Sequence, residues 1–221
     1  MSPQVQNELR KLREMVAELG ESVTQSLLQA LDAVERQDLL LADAVIGRDT
    51  RIDQFEIDLE KQCQHVLTLL QPVAADLRYV MSALKINADL ERIADQSVNI
   101  ATQVSYLAAA PLASPETADS LQQQGRRVLE MLRNCLAALE QADTELAHEV
   151  MASDDEVDRF HRQMHTRVEK AMLSNPAHAG EMICYLKISH ELERIADHAV
   201  NICEDLLFVT EGAIARHGGK A

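Results

Sequence analysis

The stretch KINADLERIADQSVNI, at Lys85–Ile100, occurs a second time as KISHELERIADHAVNI at Lys187–Ile202. The two copies align without a gap, are identical at 11 of 16 positions and start 102 residues apart. A repeated unit of this length indicates that the chain contains an internal duplication. We therefore expect two similar halves, each organised around one copy of this stretch.

Each half is predicted to contain three long helices. Apolar residues recur every three or four positions over residues 3–36 and again over 39–70, although a helix boundary at Gly47 is an alternative. A third helix, residues 73–108, contains the first copy of the repeated stretch. Asp38 is the expected N-cap of the second helix. The second half is predicted to repeat this pattern with helices over residues 116–141, 144–174 and 177–210, the middle one capped by Asp143.

The composition favours an all-α fold. Hydrophobic residues make up 47% of the chain but aromatic residues only 3%, so the core must be aliphatic, which suits helix-on-helix packing. Seven glycines and five prolines leave little material for turns, and the helices must therefore be long. We predict a tandem repeat of two antiparallel three-helix bundles, residues 1–110 and 115–212. The proline-containing stretch 109–116 is the expected linker, and residues 215–221 are expected to fray.

Charge, cysteine spacing and hydropathy restrict the class of protein. A net charge of −15 argues against a nucleic-acid binder, because phosphate would be repelled, and fits cations or basic protein surfaces as partners. The four cysteines have no CxxC spacing and are expected to be free buried thiols in a reducing cytoplasm. The sequence shows no signal peptide and no run of about 18 apolar residues. We therefore expect a cytoplasmic protein that associates with a membrane only through its partners.

The repeated stretch contains two acids four residues apart, Glu91 and Asp95, which a helix places on one face. The preceding helix has a second such pair, Asp49 and Asp53. The two pairs lie at equal distances along the chain from Pro72 in the turn, so an antiparallel hairpin places them at the same level. The second half has the same arrangement about its Asn175–Pro176 turn, with Asp154 and Asp158 on one helix and Glu193 and Asp197 on the other.

These acids have two interpretations. They are either a solvated acidic face, with arginines at positions 48, 51, 92 and 194 as counter-charges, or the ligands of bound cations. The prediction that two acid pairs lie at one level in each half favours the cation-binding interpretation. Oxygen ligands suit Mg, Ca, Mn or ferric iron. Asn99 and Asn201 continue the acidic stripe by one turn and could add carbonyl ligands. Because the core stripe of the third helix lies on another face, the sites should lie on the bundle surface.

The two halves differ at two positions beside these acids. Glu56 and Glu60 of the first half correspond to His161 and His165 of the second. Two histidines four residues apart on a helix have the spacing of a ligand pair, which would let the second site accept Zn, Ni or Fe. The same pattern is also compatible with two surface histidines that bind nothing.

The segments LERIADQSVNI and LERIADHAVNI resemble the LERIGDHAVNI signature of the PhoU family, with Ala94 and Ala196 where glycine is usual. QPVAADLR, residues 71–78, resembles the QPVASDLR turn of that family, whereas residues 175–180 have no such match. The resemblance covers nearly the whole chain and implies two three-helix bundles with multinuclear iron or zinc clusters held by E(D)xxxD motifs. The ligands that it implies are Asp49, Asp53, Glu91 and Asp95 in the first half and Asp154, Asp158, Glu193 and Asp197 in the second.

The resemblance also implies a function. Members of the PhoU family are negative regulators of phosphate uptake and phosphate-starvation signalling that link the phosphate-specific ABC transporter to the sensor histidine kinase PhoR, and homodimers are usual. A regulator of a different transporter or kinase is the alternative. A carboxylate-bridged di-iron enzyme would need two inward-facing Glu-x-x-His pairs, and only Glu145-x-x-His148 occurs. We therefore expect a protein that is not an enzyme. Without a glycine-rich loop, phosphate could bind only through a metal or a helix N-terminus.

Overall fold

The computed structural model describes residues 3–109, here called the first half, and residues 115–212, the second half. Each half contains three α-helices, so the predicted all-α tandem repeat is confirmed. The predicted linker residues 110–114 and the predicted frayed end, 215–221, lie outside the described residues. The helices are α1 (Pro3–Arg36), α2 (Leu39–Leu70), α3 (Ala74–Leu107), α4 (Pro115–Gln141), α5 (Thr144–Ser174) and α6 (Ala179–Glu211).

Helix boundaries follow local signals in the sequence. The side chain of Asp38 accepts hydrogen bonds from two backbone N–H groups at the start of α2, and Asp143 accepts one at the start of α5. Such a cap satisfies an N–H group that has no partner within the helix and contributes about 1 kcal/mol. Both predicted N-caps are therefore confirmed. Gly47 does not end a helix, since α2 continues through it.

The turns that connect the acid-bearing helices differ between the halves. In the first half, α2 ends at Leu70, and the backbone of the next residue, Gln71, is left-handed with φ of 45°. In the second half, a 3₁₀ turn over Pro176–His178 separates α5 from α6. The side chain of Asn175 caps this turn by accepting a hydrogen bond from the N–H of Ala177. The last helix consequently begins at Ala179, two residues later than the sequence predicted.

Each half packs its helices around an aliphatic core, as the composition predicted. The largest fully buried side chains are leucine, isoleucine and methionine, among them Leu12, Leu90 and Leu132. Burying one such side chain stabilises the fold by about 1.5–3 kcal/mol. All four cysteines are buried and free, as expected. None of the helices described here is long and apolar enough to cross a membrane.

The halves meet mainly along α3 and α6, which run antiparallel. Lys85 Nζ lies 2.8 Å from Asp205 Oδ1 towards one end of this contact. Asn99 Nδ2 lies 3.4 Å from Glu191 Oε2 towards the other end. This register places two buried alanines at equivalent positions of the repeat level with each other: Ala94 and Ala196. Their small side chains allow the two helices to approach closely at the centre of the molecule.

Glycines serve the same purpose where α1 packs against α4. A Cβ atom on Gly20 would lie 2.7 Å from a methyl carbon of Leu136, and one on Gly125 would lie 2.7 Å from a methyl carbon of Leu31. The two glycines occupy equivalent positions of the repeat, and so do the two leucines. The same contact is therefore made twice in opposite directions, which indicates an approximate two-fold axis between the halves.

Replacing Gly20 with valine should weaken the contact between the halves. The added methyl groups would overlap Leu136, and overpacking of this kind lowers the free energy of unfolding by about 1–3 kcal/mol. Gly47 is the matched control, because no atom lies within 4 Å of a Cβ placed there. The Gly47→Val variant should be neutral or slightly stabilising. Urea unfolding measures both effects, and equal stabilities of the two variants would contradict the close contact.

Candidate metal centres

The first hairpin brings Asp49 and Asp53 on α2 close to Glu91 and Asp95 on α3. The pKa of Asp49 is raised by burial, then by Asp53 and then by Asp95 across the hairpin. The pKa of Glu91 is also raised, by burial first, then by Asp95 and by acids of α2. Like charges on two neighbouring helices therefore oppose one another's ionisation.

A pair of hydrogen bonds fixes the register of this hairpin. Asn87 Nδ2 on α3 donates to Glu56 Oε1 at 3.0 Å and to the backbone carbonyl of Glu56 at 3.1 Å. The two residues lie almost equally far along the chain from Pro72. Helices α2 and α3 therefore pair symmetrically about this turn. The same register underlies the prediction that the two acid pairs lie at one level.

One carboxylate oxygen of this cluster has no hydrogen-bond partner. Asp49 Oδ1 is buried without one, whereas buried polar atoms in folded proteins are normally hydrogen-bonded. Nη1 of the adjacent Arg48 is also buried without a partner, so these two neighbours do not satisfy each other. A cation that prefers oxygen ligands would satisfy Asp49, which agrees with the predicted metal. Among the described residues, however, no three of these four acids have ligand atoms within 4.8 Å of one another.

The second hairpin repeats the cluster with Asp154 and Asp158 on α5 and Glu193 and Asp197 on α6. Burial first, and then the neighbouring acids with Asp197 foremost, raises the pKa of Asp154 to about 6. The pKa of Asp197 is raised by burial and then by Glu193 and Asp158. The acids of both hairpins are partly or fully exposed, so the clusters lie on the bundle surface, as the helical wheel predicted.

Arginines only partly compensate these charges. Arg162 Nη1 lies 3.0 Å from Oδ2 of Asp158, a predicted ligand, whereas Arg194 Nη1 lies 3.4 Å from Glu191 Oε2, outside the predicted ligand set. Arg92 lowers the pKa of Glu91, but by less than burial and the neighbouring acids raise it. The pKa remains raised for four of the predicted ligands: Asp49, Glu91, Asp154 and Asp197. The clusters therefore retain the excess negative charge that a cation would neutralise.

Histidines line the second cluster. Glu193 Oε2 lies 3.8 Å from His161 Nε2 and 3.0 Å from His190 Nδ1. Within residues 3–109 and 115–212, these three residues form the one group of at least three metal-binding side chains whose ligand atoms all lie within 4.8 Å. Burial lowers the pKa of His161 and so favours its neutral ring. His165 is outside this group and packs edge-on against the ring of His161, with centroids 4.9 Å apart.

Sequence reasoning identified His161 but missed His190. This histidine lies inside the repeated stretch, where the first copy has Ala88. A change from alanine to histidine three residues before a candidate ligand was the signal that could have identified it. The proximity of His190 to His161 depends on how α5 packs on α6, and the spacing of residues within one helix does not reveal this packing.

Asn99 and Asn201 lie at the junction between the halves. Nδ2 of Asn99 is 3.4 Å from Glu191 Oε2, and Nδ2 of Asn201 is 3.5 Å from Asp89 Oδ1. The contacts are equivalent under the repeat, and each directs an amide nitrogen towards an acid of the opposite half. The predicted role of their carbonyl oxygens as metal ligands stays a prediction.

Known proteins share the sequence features of both halves. The sequence profile of the PhoU domain matches residues 16–104 and residues 121–206. The chain is 33% identical over 210 residues to the phosphate-specific transport system accessory protein PhoU homolog of Aquifex aeolicus, covering 95% of this chain and 94% of that protein. It is 30% identical to a protein of the same name from a Burkholderia species, covering 98% of this chain and 93% of that protein.

Two crystal structures share the fold. PhoU from Pseudomonas aeruginosa superposes with a TM-score of 0.90 at 29% identity, covering 94% of this chain and 99% of that chain. The phosphate transport system regulatory protein PhoU from Streptococcus pneumoniae superposes with a TM-score of 0.87 at 30% identity, covering 96% and 99%. The coverage shows that the arrangement of both halves is shared, and not only the fold of one bundle.

Replacing Asp154 with asparagine should stabilise the protein in the presence of a chelator at neutral pH. The carboxyl group has a pKa of about 6 in the folded state and an ordinary value of 3.8, so its ionisation opposes folding. The destabilisation is complete above about pH 6 and is lost as the pH falls towards 4. The full shift corresponds to about 3 kcal/mol, which solvent screening at this half-exposed position reduces to about 1 kcal/mol.

Urea unfolding with EDTA, at about pH 7.5 and about pH 4, measures this pH dependence. The Glu169→Gln variant removes an exposed acid from the same helix outside the cluster and serves as the control. A stability gain of the Asp154 variant that is the same at both pH values, or that the control variant reproduces, would contradict charge crowding at this position.

Proposed function

The chain belongs to the PhoU family, and on that premise we propose that it is a metal-binding accessory protein of a phosphate-specific transport system. In this role it restrains phosphate uptake and phosphate-starvation signalling as an adaptor between the ABC transporter and a sensor histidine kinase. The observation that carries the proposal is that both halves match the PhoU domain, each with an acidic cluster at the equivalent hairpin.

Metal ions are part of this proposal, with iron or zinc preferred and Mn, Mg, Ca or Ni as alternatives. A bound cation would neutralise the charges that raise the carboxyl pKa values and would connect the two helices of each hairpin. The metal therefore supplies charge compensation and rigidity. The residues proposed to hold it are Asp49, Asp53, Glu91 and Asp95 in the first half and Asp154, Asp158, Glu193 and Asp197 in the second.

Exposed apolar side chains at the hairpin turns support an adaptor role. Leu69 and Val73, beside the first turn, are 68% and 73% exposed, and Leu173, beside the second, is 78% exposed. Contiguous exposed apolar groups often mark protein contacts. Because α3 and α6 run antiparallel, these two turns lie at opposite ends of the α3–α6 contact. The protein could therefore contact a transporter subunit with one turn and a kinase with the other.

The proposed role is non-enzymatic. The similar proteins are named accessory or regulatory proteins. Glu145 and His148, the Glu-x-x-His pair, are both exposed on α5, whereas di-iron bundles need such pairs to face inward. Four buried free thiols suit the cytoplasm, where we place the protein. Homodimers, which the resemblance to the family implies, complete the proposal.

Combining Asp95→Asn with Asp197→Asn should lower the metal content without unfolding the bundles. The two side chains are exposed, so the substitutions leave the core intact, while each cluster loses one anionic ligand. Elemental analysis of untagged protein purified without a chelator measures the metal, and circular dichroism measures the fold. The control combines Asp43→Asn with Glu145→Gln, two exposed acids outside the clusters. Equal metal content in the double variant and the parent protein would refute the ligand assignment.

Deleting the gene should derepress phosphate-starvation genes in phosphate-rich medium, because the proposed adaptor transmits the transporter's signal to the kinase. Transcript levels in the deletion strain, the parent strain and a complemented strain measure the effect. Unchanged expression would contradict the regulatory role. A pull-down that recovers a different transporter would instead select the alternative, a related regulator of another uptake system.

A further inference from the structure

We propose that His161, His190 and Glu193 form a transition-metal site that the second half has and the first half lacks. Its ligands are two imidazole nitrogens and one carboxylate oxygen. This set suits the borderline divalent ions Zn²⁺, Ni²⁺ and Co²⁺ better than Mg²⁺ or Ca²⁺. The site differs from the acidic E(D)xxxD clusters in ligand type, although it shares Glu193 with one of them.

The spacing of the three ligand atoms fits a single small cation. In a tetrahedral zinc site with bonds of about 2.0–2.1 Å, neighbouring ligand atoms lie roughly 3.3 Å apart. Glu193 Oε2 lies 3.0 Å from His190 Nδ1 and 3.8 Å from His161 Nε2. All three ligand atoms lie within 4.8 Å of one another, so modest side-chain shifts would bring them around one cation.

A chain of buried hydrogen bonds determines which nitrogen of His161 carries its proton. Gln124 Nε2 donates to the backbone carbonyl of Ser189 at 3.0 Å, which directs Gln124 Oε1 to the hydroxyl of Ser189, 2.7 Å away. The hydroxyl hydrogen is therefore donated to Gln124. The oxygen of Ser189, 2.9 Å from His161 Nδ1, then accepts the Nδ1–H hydrogen of the imidazole.

This arrangement prepares Nε2 of His161 as a metal ligand. With its hydrogen on Nδ1, the neutral ring has a lone pair on Nε2, which lies 3.8 Å from Oε2 of Glu193. Two electron-pair donors that face each other repel, and a cation between them removes the repulsion. Metal-binding histidines characteristically donate their other N–H to an orienting group, and Ser189, with Gln124 behind it, supplies that group here.

The corresponding place in the first half lacks both histidines. Glu56 takes the place of His161, Ala88 that of His190, and Asn87 that of Ser189. Asn87 Nδ2 donates to the carboxylate of Glu56 at 3.0 Å. Each half thus places a group of matching hydrogen-bonding sense at this position: a donor beside the carboxylate of Glu56 and an acceptor beside the imidazole N–H of His161. The histidine site is therefore a feature of the second half.

Proton–nitrogen correlation NMR of the histidine rings tests the tautomer in untagged, chelator-treated full-length protein. His161 should carry its hydrogen on Nδ1 before any metal is added. Zn²⁺ should then shift the Nε2 resonance of His161 and the Nδ1 resonance of His190. A His161 ring protonated at Nε2, or a ring resonance that Zn²⁺ leaves unchanged, would overturn the proposal.

Zn²⁺ titration against a chromogenic chelator tests the affinity. Combining His161→Gln with His190→Ala, the residue of the first half, should weaken Zn²⁺ binding at least tenfold, since even orienting groups around metals contribute about 10–100-fold. His148→Ala is the control, because this exposed histidine lies about 20 Å along α5 from His161 and should not affect the affinity. Unchanged affinity in the double variant would count decisively against the site.

The inference rests on the proposed metal-binding function only through Glu193, and the two can fail separately. Combining Asp49→Asn with Asp95→Asn changes only the first cluster and should leave the histidine site intact. If that variant loses tight Zn²⁺ binding while the histidine variant retains it, the histidine site is refuted and the acidic centre stands. If Zn²⁺ binds at the histidines but the acidic clusters carry no metal, the proposed function alone loses support.

Discussion

Aliphatic packing holds together carboxylates that repel one another, and the properties of both candidate centres follow from this constraint. Burying one leucine such as Leu90 stabilises the fold by about 1.5–3 kcal/mol, whereas a like-charge pair on a helix surface opposes it by only a few tenths. The core therefore determines where the helices lie, and it holds the acids on their outer faces close together despite their repulsion. The raised pKa values of Asp49 and Asp154 result first from burial and then from this enforced proximity. A cation would turn the same proximity into attraction.

Helices α3 and α6 connect each acidic cluster with the junction between the halves. One face of α3 carries Glu91 towards α2, and another carries Asp89 to the junction, where His198 Nδ1 lies 2.8 Å from Asp89 Oδ1. The approximate two-fold axis places the equivalent faces of α6 in the same relation. The small residues between α3 and α6 leave little free space for one helix to move against the other. A shift of either helix at a cluster would therefore also move side chains at the junction.

The sequence was sufficient for the helices and for the register of each hairpin, because both depend on features close together in the chain: apolar periodicity, N-caps and a proline turn. The sequence was insufficient to predict the contacts that a side chain makes with a neighbouring helix. Asn99 follows Glu91 by eight residues, over which the helical rotation drifts about 80°, and its amide nitrogen contacts Glu191 of the other half, a contact that the periodicity did not predict. His190 was missed for the same reason, since its relation to His161 depends on how α5 lies against α6. Periodicity identifies a face, but the packing of neighbouring helices decides what that face meets.

Some of the differences between the halves lie where a ligand type would change. The repeated stretch retains the run LERIAD, yet Ala88 and Asn87 are replaced by His190 and Ser189, and the facing Glu56 by His161. Asn87 and Ser189 are buried, so each must find a hydrogen-bond partner of the right sense. Here the amide of Asn87 donates to a carboxylate and the hydroxyl of Ser189 accepts from an imidazole, so each pair is internally consistent. The duplicated hairpin therefore provides one scaffold with two differently lined positions, and side-chain chemistry, more than backbone geometry, distinguishes them.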